Sequence, residues 1–183
     1  MAFTLTNFQT ANEILKQEST IKILSFGCDK IDFLMGRALL LKGIVEIYGE
    51  SGVGKTQLCM QIAIEYCYTN IINKRSKKIL YISTDIFPIK RLRQLVEHLH
   101  LQNIDDILNC ILVQNINSFN ELEKLFNEER KKFHTKHIEL IIIDSVAPLF
   151  WDNFNELENS KRTDNISKLS YLLHKSNRTK RID

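Results

Sequence analysis

A short glycine-rich stretch of this chain carries the residue types that hold a phosphate group. It fits the pattern G-x-x-x-x-G-K-[ST] and consists of Gly49, Glu50, Ser51, Gly52, Val53, Gly54, Lys55 and Thr56. Its glycines let the backbone curl so that successive N–H groups point at phosphate oxygens. We expect Lys55 to reach the β- and γ-phosphates and the Thr56 hydroxyl to ligate Mg²⁺. The alternative is a glycine-rich turn that binds nothing.

An aspartate is the natural partner of such a loop. Asp144 directly follows the apolar run Leu140–Ile143. A carboxylate at the end of a buried strand is placed to hold Mg²⁺ or its bound water. An aspartate at a strand end also forms turns readily, so the pattern by itself is weak.

Cleavage of a nucleotide needs a second carboxylate that orients and deprotonates water. Asp85 lies just past the apolar segment Ile79–Ser83, at what we expect to be the carboxyl edge of a sheet. Ligands bind at that edge in open α/β folds. The competing interpretation is a turn aspartate that precedes Phe87 and Pro88.

These side chains require a scaffold of alternating strands and helices. Apolar runs predict strands at 44–48, 79–83, 111–113 and 138–143, and helical spacing or caps predict helices at 57–66, 90–100, from Ser118 onward and at 163–175. The strand that ends at Asp144 is nearly all apolar, as in a central parallel strand covered on both faces. The alternation predicts a parallel α/β sheet with right-handed crossovers.

Composition sets only broad limits. The chain has 183 residues, 44% of them hydrophobic, and a net charge of +3, which suits one domain and neither demands nor excludes nucleic acid. None of the four cysteines forms a C-x-x-C pair, so neither a zinc site nor a redox motif of that type is indicated. We expect no secretory signal and no membrane-spanning segment.

Several stretches together resemble the RecA-type DNA recombinases and their eukaryotic Rad paralogues. The phosphate loop continues into Gln57 and Leu58 as it does in that family. Residues 27–34 resemble its segment leading to the core, residues 81–92 its strand and turn with the catalytic acid, and residues 143–147 its Walker B segment. The Phe-Pro turn with Lys-Arg-Leu, and the Asp-Ser-Val-Ala-Pro run, are most similar to one of the paralogues. The resemblance implies a RecA-like P-loop NTPase core, ATP and Mg²⁺ as cofactors, and homologous-recombination repair of double-strand breaks in the nucleus.

The resemblance also implies partners. Phe8 and Ala11 match an F-x-x-A tether whose side chains fill pockets on a neighbouring ATPase core; the alternative is a local hydrophobic contact. The expected partners are sister paralogues and the strand-exchange recombinase, on single-stranded or branched DNA and without a membrane. We therefore divide the chain into an N-terminal arm (1–20), a partial ATPase core (21–176) and a divergent basic tail (177–183).

Further site residues come from the same resemblance. Arg91 matches a position that packs near adenine in some relatives. The segment after Asp144 corresponds to a mobile DNA loop, in which Lys161 and Arg162 would neutralise phosphates and Trp151 would stack on bases. Acidic residues in that segment keep a plain surface loop open as the alternative.

Two departures from the family matter. Asp85 replaces the usual glutamate, on a turn that is one residue shorter than in the family. Two functions therefore stay open: a DNA-dependent ATPase, and an adaptor that binds ATP without hydrolysing it. The family continues with a strand that carries a γ-phosphate sensor and a second DNA loop, and it begins with a helical DNA-binding domain. We expect a core that is C-terminally truncated relative to that pattern.

Overall fold

The computed structural model describes residues 9–19, 23–36, 39–40, 43–101, 103–128, 133, 135–150 and 159–178. The helices are α1 (Ala11–Ser19), α2 (Asp29–Leu34), α3 (Lys55–Ile72), α4 (Ile89–His98), α5 (Ile104–Cys110), α6 (Phe119–Glu128) and α7 (Asn159–Arg178), with a 3-10 helix at Ala147–Phe150. The strands are β1 (Ile23–Leu24), β2 (Leu39–Leu40), β3 (Lys78–Ser83), β4 (Ile111–Asn115) and β5 (Ile138–Asp144). No helix in these ranges is long and apolar enough to cross a membrane.

The main sheet is parallel, as predicted, with the strand order β4-β3-β5. Its centre is β3, from which Ile79 to Ser83 are all buried. The expectation that β5 is the central strand is wrong for the described sheet, because β5 pairs with β3 alone and most of its side chains are only half-buried. The register of β3 with β5 brings Ser83 opposite Asp144, so both strands end at one edge.

Helices cover both faces of the sheet because side chains alternate along β3. Ile79 and Tyr81 pack into a core formed with α3, α4 and α5. Leu80 and Ile82 pack on the opposite face with α6, the 3-10 helix and α7. The result is a three-layer α/β/α arrangement with the loop before α3 at the strand-end edge.

The prediction of a buried strand in the segment 44–48 is wrong. The structure assigns it no strand conformation, and Ile44, Val45 and Tyr48 are 47%, 53% and 89% exposed. A strand is held by ladder hydrogen bonds to a neighbour. The described sheet offers this segment none, since β3 lies between β4 and β5 and no described strand lies beyond β5.

A small substructure precedes the phosphate loop. β1 and β2 form an antiparallel pair, and α2 lies between them in the chain. Asp32 of α2 stabilises the turn that follows β1, because it accepts hydrogen bonds from the Ser25 hydroxyl (2.5 Å) and the Phe26 N–H (2.8 Å). These two bonds hold the pKa of Asp32 below its usual range.

Helix starts follow the sequence closely. The Ser118 hydroxyl accepts a hydrogen bond from the Glu121 N–H, as in the predicted capping box, while the Glu121 carboxylate accepts from the Asn117 N–H, one residue before the N-cap. Thr10 and Glu13 form a second reciprocal pair at the start of α1. At the other end of the chain, Leu169 and Leu172 of α7 are buried as expected, whereas Ile166 is half exposed.

Candidate nucleotide-binding site

The glycine-rich loop has the backbone shape that a phosphate needs. Gly52 and Gly54 have φ angles of +82° and +101°, in the left-handed region that favours glycine. Helix α3 begins at Lys55, directly after Gly54. Its free N–H groups and positive dipole end therefore face the loop, which is a ready-made anion site.

Lys55 lies across this loop. Its Nζ donates hydrogen bonds to the carbonyl oxygens of Gly49 (2.9 Å) and Glu50 (2.6 Å). The side chain is half-buried, whereas Gly49 to Gly52 are exposed. The ammonium is thus held at the mouth of the loop, beside the N–H groups that would contact a phosphate.

Asp144 faces the same helix from the end of β5. The phenol of Tyr81 donates a 2.7 Å hydrogen bond to its Oδ2. Burial raises the pKa of Cys59 to about 11, and the charge of Asp144 adds to that shift. Cys59 lies one helical turn beyond Thr56 on the same side of α3. Asp144 is therefore close enough to the first turns of α3 for its charge to act on Cys59.

The ends of β3 and β5 are clasped together next to Asp144. The Thr84 hydroxyl donates to the Ser145 carbonyl and accepts from the Ser145 N–H, both at 3.0 Å. The Thr84 N–H also donates to the Asp144 carbonyl at 3.1 Å. The Asp144–Ser145 peptide bond is cis. The three hydrogen bonds hold the backbone at Asp144 and Ser145 against the end of β3.

Asp85 is exposed and lies immediately beyond this clasp. Its Oδ1 accepts a 2.7 Å hydrogen bond from the Ile86 N–H, and its carbonyl accepts one from the Ser83 hydroxyl. A bond from an aspartate to the next backbone N–H stabilises a turn. The geometry thus gives Asp85 a local structural role at the edge where the sequence predicts a catalytic one.

Arg91 approaches the start of α3 from α4. Its Nε donates to Oε1 of Gln57 at 3.0 Å, so the two residues predicted to contact nucleotide are joined. An open groove of about 490 Å³ lies beside them, between the loop and the turn at Phe26. Its lining is mostly apolar and includes Phe26, Val53, Leu95 and Leu99. A flat apolar ring fits such a surface better than a charged group does.

Four of the predicted side chains cannot be placed. Phe8 and Trp151 lie outside the described residues, and the side chains of Lys161 and Arg162 in α7 are likewise not described. Ala11 is described and lies exposed in the first turn of α1. The predicted partner and DNA contacts therefore remain predictions.

Two contributors to the site are absent from the sequence prediction. The sequence pattern places Tyr81 only within the strand 79–83, and it singles out nothing at Thr84. A hydroxyl within an otherwise apolar buried strand is a usable signal, since a buried phenol needs a partner. Within the described ranges no group of three His, Cys, Asp or Glu residues could hold a metal ion. A Mg²⁺ site of one hydroxyl and one carboxylate matches how this ion is held beside phosphates.

Fold and site together define a P-loop α/β domain: a parallel sheet, a glycine-rich loop at a helix N-terminus and an aspartate opposite it. The sequence profile of the Rad51 family matches residues 16–180. The chain belongs to this family.

Three relatives show the range of the similarity. The DNA repair and recombination proteins RadA of Metallosphaera sedula and Aeropyrum pernix are each 28% identical, over 155 and 157 residues. These alignments cover 83% and 84% of this chain and 47% and 48% of the relatives. The DNA repair protein XRCC3 homolog of Arabidopsis thaliana is 28% identical over 174 residues, which is 86% of this chain and 56% of that protein. The chain spans about half the length of the curated relatives it matches.

Proposed function

We propose that this chain is an ATP- and Mg²⁺-binding recombination paralogue of XRCC3 type, which acts in homologous-recombination repair of DNA double-strand breaks in the nucleus. The observation that supports the proposal is the glycine-rich loop itself, which has positive φ at Gly52 and Gly54, lies at the start of α3 and has the Lys55 ammonium bonded across it to the carbonyls of Gly49 and Glu50. Asp144, whose Oδ2 accepts a hydrogen bond from Tyr81, ends β5 at the same edge of the sheet at which β3 ends.

Each residue has a role in this proposal. Backbone N–H groups of 49–56 hold the phosphates, and Lys55 exchanges its bonds to the loop carbonyls for bonds to the β- and γ-phosphates. Thr56 and the Asp144 oxygen that Tyr81 does not occupy hold Mg²⁺, directly or through water. Held by these two residues, Mg²⁺ would supply charge screening at the phosphates and polarisation of the γ-phosphate. Gln57 and Arg91 position the base.

The direct test is equilibrium binding of ATP in the presence of Mg²⁺. Lys55→Ala removes a charged hydrogen-bond donor from the phosphates, which corresponds to about a 10- to 100-fold loss of affinity. Lys124→Ala is the matched control, because Lys124 lies on α6, across the sheet from the loop, and is exposed. Equal affinity of wild type and Lys55→Ala would overturn the assignment of the site.

A second function, a non-hydrolysing adaptor that keeps ATP at a protomer interface, is favoured by one observation. The Asp85 carboxylate bonds to the Ile86 N–H, which competes with orienting a water molecule. A single-turnover ATP hydrolysis assay distinguishes the ATPase from the adaptor. The chain is assayed together with a sister paralogue and single-stranded DNA. Turnover that Asp85→Asn abolishes supports the ATPase, whereas tight ATP retention without turnover supports the adaptor.

The arm before the core is proposed as a partner site. Ala11 begins α1 and is exposed, and Ile14 and Leu15 of the same helix are 44% and 64% exposed. Apolar side chains on an exposed helix are available to a neighbouring protein. Phe8→Ala and Ala11→Glu are expected to weaken co-purification with the strand-exchange recombinase or a sister paralogue. Glu13→Gln, on the same turn, is the control for helix integrity.

A further inference from the structure

Positively charged side chains cluster at the edge of the sheet where its strands begin. Helix α3 starts at the glycine-rich loop and spans about 27 Å with its 18 residues, so the chain enters β3 at the edge opposite that loop. The link from α3 into β3 carries Lys74, Arg75, Lys77 and Lys78, and Lys136 lies in the turn before β5. We call these five cations the basic edge; the net charge of the whole chain is only +3.

The start of the link has a fixed backbone shape. The Lys74 N–H donates to the carbonyl of Ile71 at 3.0 Å, and the Arg75 N–H donates to the carbonyl of Asn70 at 2.8 Å. These are the two hydrogen bonds of a Schellman motif, in which the first residue past the C-cap is left-handed and usually glycine. Lys74 occupies that position with a φ of +53°. Glycine would suit the fold better there, so folding by itself does not account for the lysine.

The turn before β5 lies directly beside the link. The Lys78 N–H donates a 3.0 Å hydrogen bond to the carbonyl of His137, and Lys78 is opposite Ile138 in the parallel ladder. His137 also has a positive φ, +55°. Paired strands lie about 4.8 Å apart. Lys136 therefore belongs to the same exposed surface as the link.

Glu139, an acidic side chain at this edge, is already occupied. Its Oε1 pairs with Lys77 Nζ at 2.7 Å, and its Oε2 accepts a hydrogen bond from Tyr66 at 2.9 Å. No described carboxylate forms an ion pair with the other four cations. Three of these cations are fully exposed, namely Lys74, Arg75 and Lys136. Their charge is therefore available to an anionic partner.

We propose that the basic edge binds the phosphate backbone of duplex DNA without reading its sequence. Lysine and arginine neutralise phosphates, and the guanidinium of Arg75 can bond one phosphate through two N–H groups. A duplex carries one negative charge per about 1.7 Å of its axis, which is twice the density of a single strand.

The composition of the two loops favours a duplex over other partners. Residues 73–78 and 135–137 include no phenylalanine, tyrosine or tryptophan on which an unpaired base could stack. They are also polar throughout, so they lack the apolar anchor on which a protein interface depends. The surface lies at the opposite edge from the loop 49–56, so the inference does not rest on the proposed nucleotide function.

The test measures binding of the full chain to a fluorescently labelled DNA duplex across a salt series, without nucleotide. The triple variant Lys74→Gly, Arg75→Ala and Lys136→Ala keeps Lys161 and Arg162. Its slope of log affinity against log salt should be shallower than that of wild type by about 0.9 for each cation removed.

A second triple variant is the charge-matched control. Lys30→Ala, Lys124→Ala and Lys168→Ala remove the same charge from exposed positions on three other helices. This protein should keep the wild-type slope, because nonspecific attraction by net charge would be weakened equally in both variants.

Lys74→Gly alone separates binding from folding. Glycine adopts a positive φ without a clash, so the variant should have a higher urea midpoint than wild type and nevertheless a shallower salt slope. In the wild-type chain, duplex DNA should protect Lys74 and Lys136 from acetylation while Lys124 stays reactive. Peptide mass spectrometry measures this protection and requires no variant.

Three results would overturn the proposal. The first is an equal salt slope for wild type and the variant at the basic edge. The second is acetylation of Lys74 and Lys136 to the same extent with and without DNA. The third is a wild-type chain that binds polyglutamate but not the duplex, which would make the basic edge a surface for an acidic protein segment.

Discussion

The Tyr81 hydroxyl donates a 2.7 Å hydrogen bond to Oδ2 of Asp144, from the central strand to the strand beside it. Tyr81 is almost fully buried, and burial followed by this bond raises its pKa, so the phenol stays neutral and remains a donor. The bond occupies Oδ2 of the carboxylate, and the N–H of the next residue, Ser145, donates to the Thr84 hydroxyl. A buried tyrosine thereby sets the orientation of the proposed metal ligand.

Tyr81→Phe is expected to lower the free energy of unfolding by about 1–3 kcal/mol, because the carboxylate loses its donor. It should also reduce the Mg²⁺-dependent part of ATP affinity, since Asp144 is no longer oriented. The measurements are urea denaturation and ATP titration with and without Mg²⁺.

Tyr66→Phe is the matched control for this change. Tyr66 is buried on α3 and donates a 2.9 Å bond to Oε2 of Glu139, away from the loop. Tyr66→Phe should lower the free energy of unfolding by a similar amount, while the Mg²⁺ dependence of ATP affinity stays as in the wild type. Two variants with the same Mg²⁺ dependence would show that Tyr81 only stabilises the fold.

Gly27→Ala should destabilise the chain more than Gly36→Ala does. Both glycines have positive φ, +70° and +67°, so each alanine costs roughly 1–2 kcal/mol of backbone strain. Only at Gly27 would the new Cβ also meet a neighbour, Nε2 of Gln61 at 2.5 Å. Urea denaturation should show an extra loss for Gly27→Ala that Gln61→Ala relieves in the double variant. Equal losses at both glycines would contradict this packing argument.

Arg91→Ala is expected to raise the Kd for ATP and for ADP by the same factor, about tenfold, because both carry the base that Arg91 is proposed to position. Lys55→Ala should instead raise the Kd for ATP more than the Kd for ADP, since Lys55 is proposed to contact the β- and γ-phosphates. Arg93→Ala serves as the control: Arg93 is exposed on the same helix and paired with Glu97 at 2.9 Å. An unchanged Kd in Arg91→Ala would remove Arg91 from the site.

Replacing Lys161 and Arg162 together by alanine tests the proposed DNA contact. Each lost phosphate contact should lower the slope of log affinity against log salt by about 0.7 for single-stranded DNA. Filter binding across a salt series measures this slope. Lys168→Ala, an exposed change further along α7, should leave it unchanged. If the double variant keeps the wild-type slope, these two side chains do not contact phosphates.

The stability of the chain should fall in acid partly through Asp32. Its folded pKa lies below the unfolded value because of the bonds from Ser25 and Phe26, so it stabilises the fold above the unfolded pKa. That stabilisation is lost as the pH falls below about 3.9 and through the lower folded pKa. Urea midpoints measured from pH 7 down to pH 3 should show this loss in wild type and a smaller one in Asp32→Asn. If the urea midpoints of wild type and Asp32→Asn fall by the same amount over this pH range, Asp32 does not contribute to the loss of stability in acid.

Local signals in the sequence determined much of this protein. The glycine spacing at 49–54 indicated a loop that has positive φ at two positions, and the apolar runs at 79–83, 111–113 and 138–143 predicted the parallel strands β3, β4 and β5. These features depend on neighbours in the chain, so pattern and propensity reach them. The family followed from the same segments and was confirmed by the match over 16–180.

Tertiary structure alone decided the rest, because long-range pairing has no local signature. The run 44–48 has strand composition, yet it remains exposed where no described strand pairs with it. Strand order placed Tyr81 beside Asp144, and the packing of α4 against α3 brought Arg91 to Gln57.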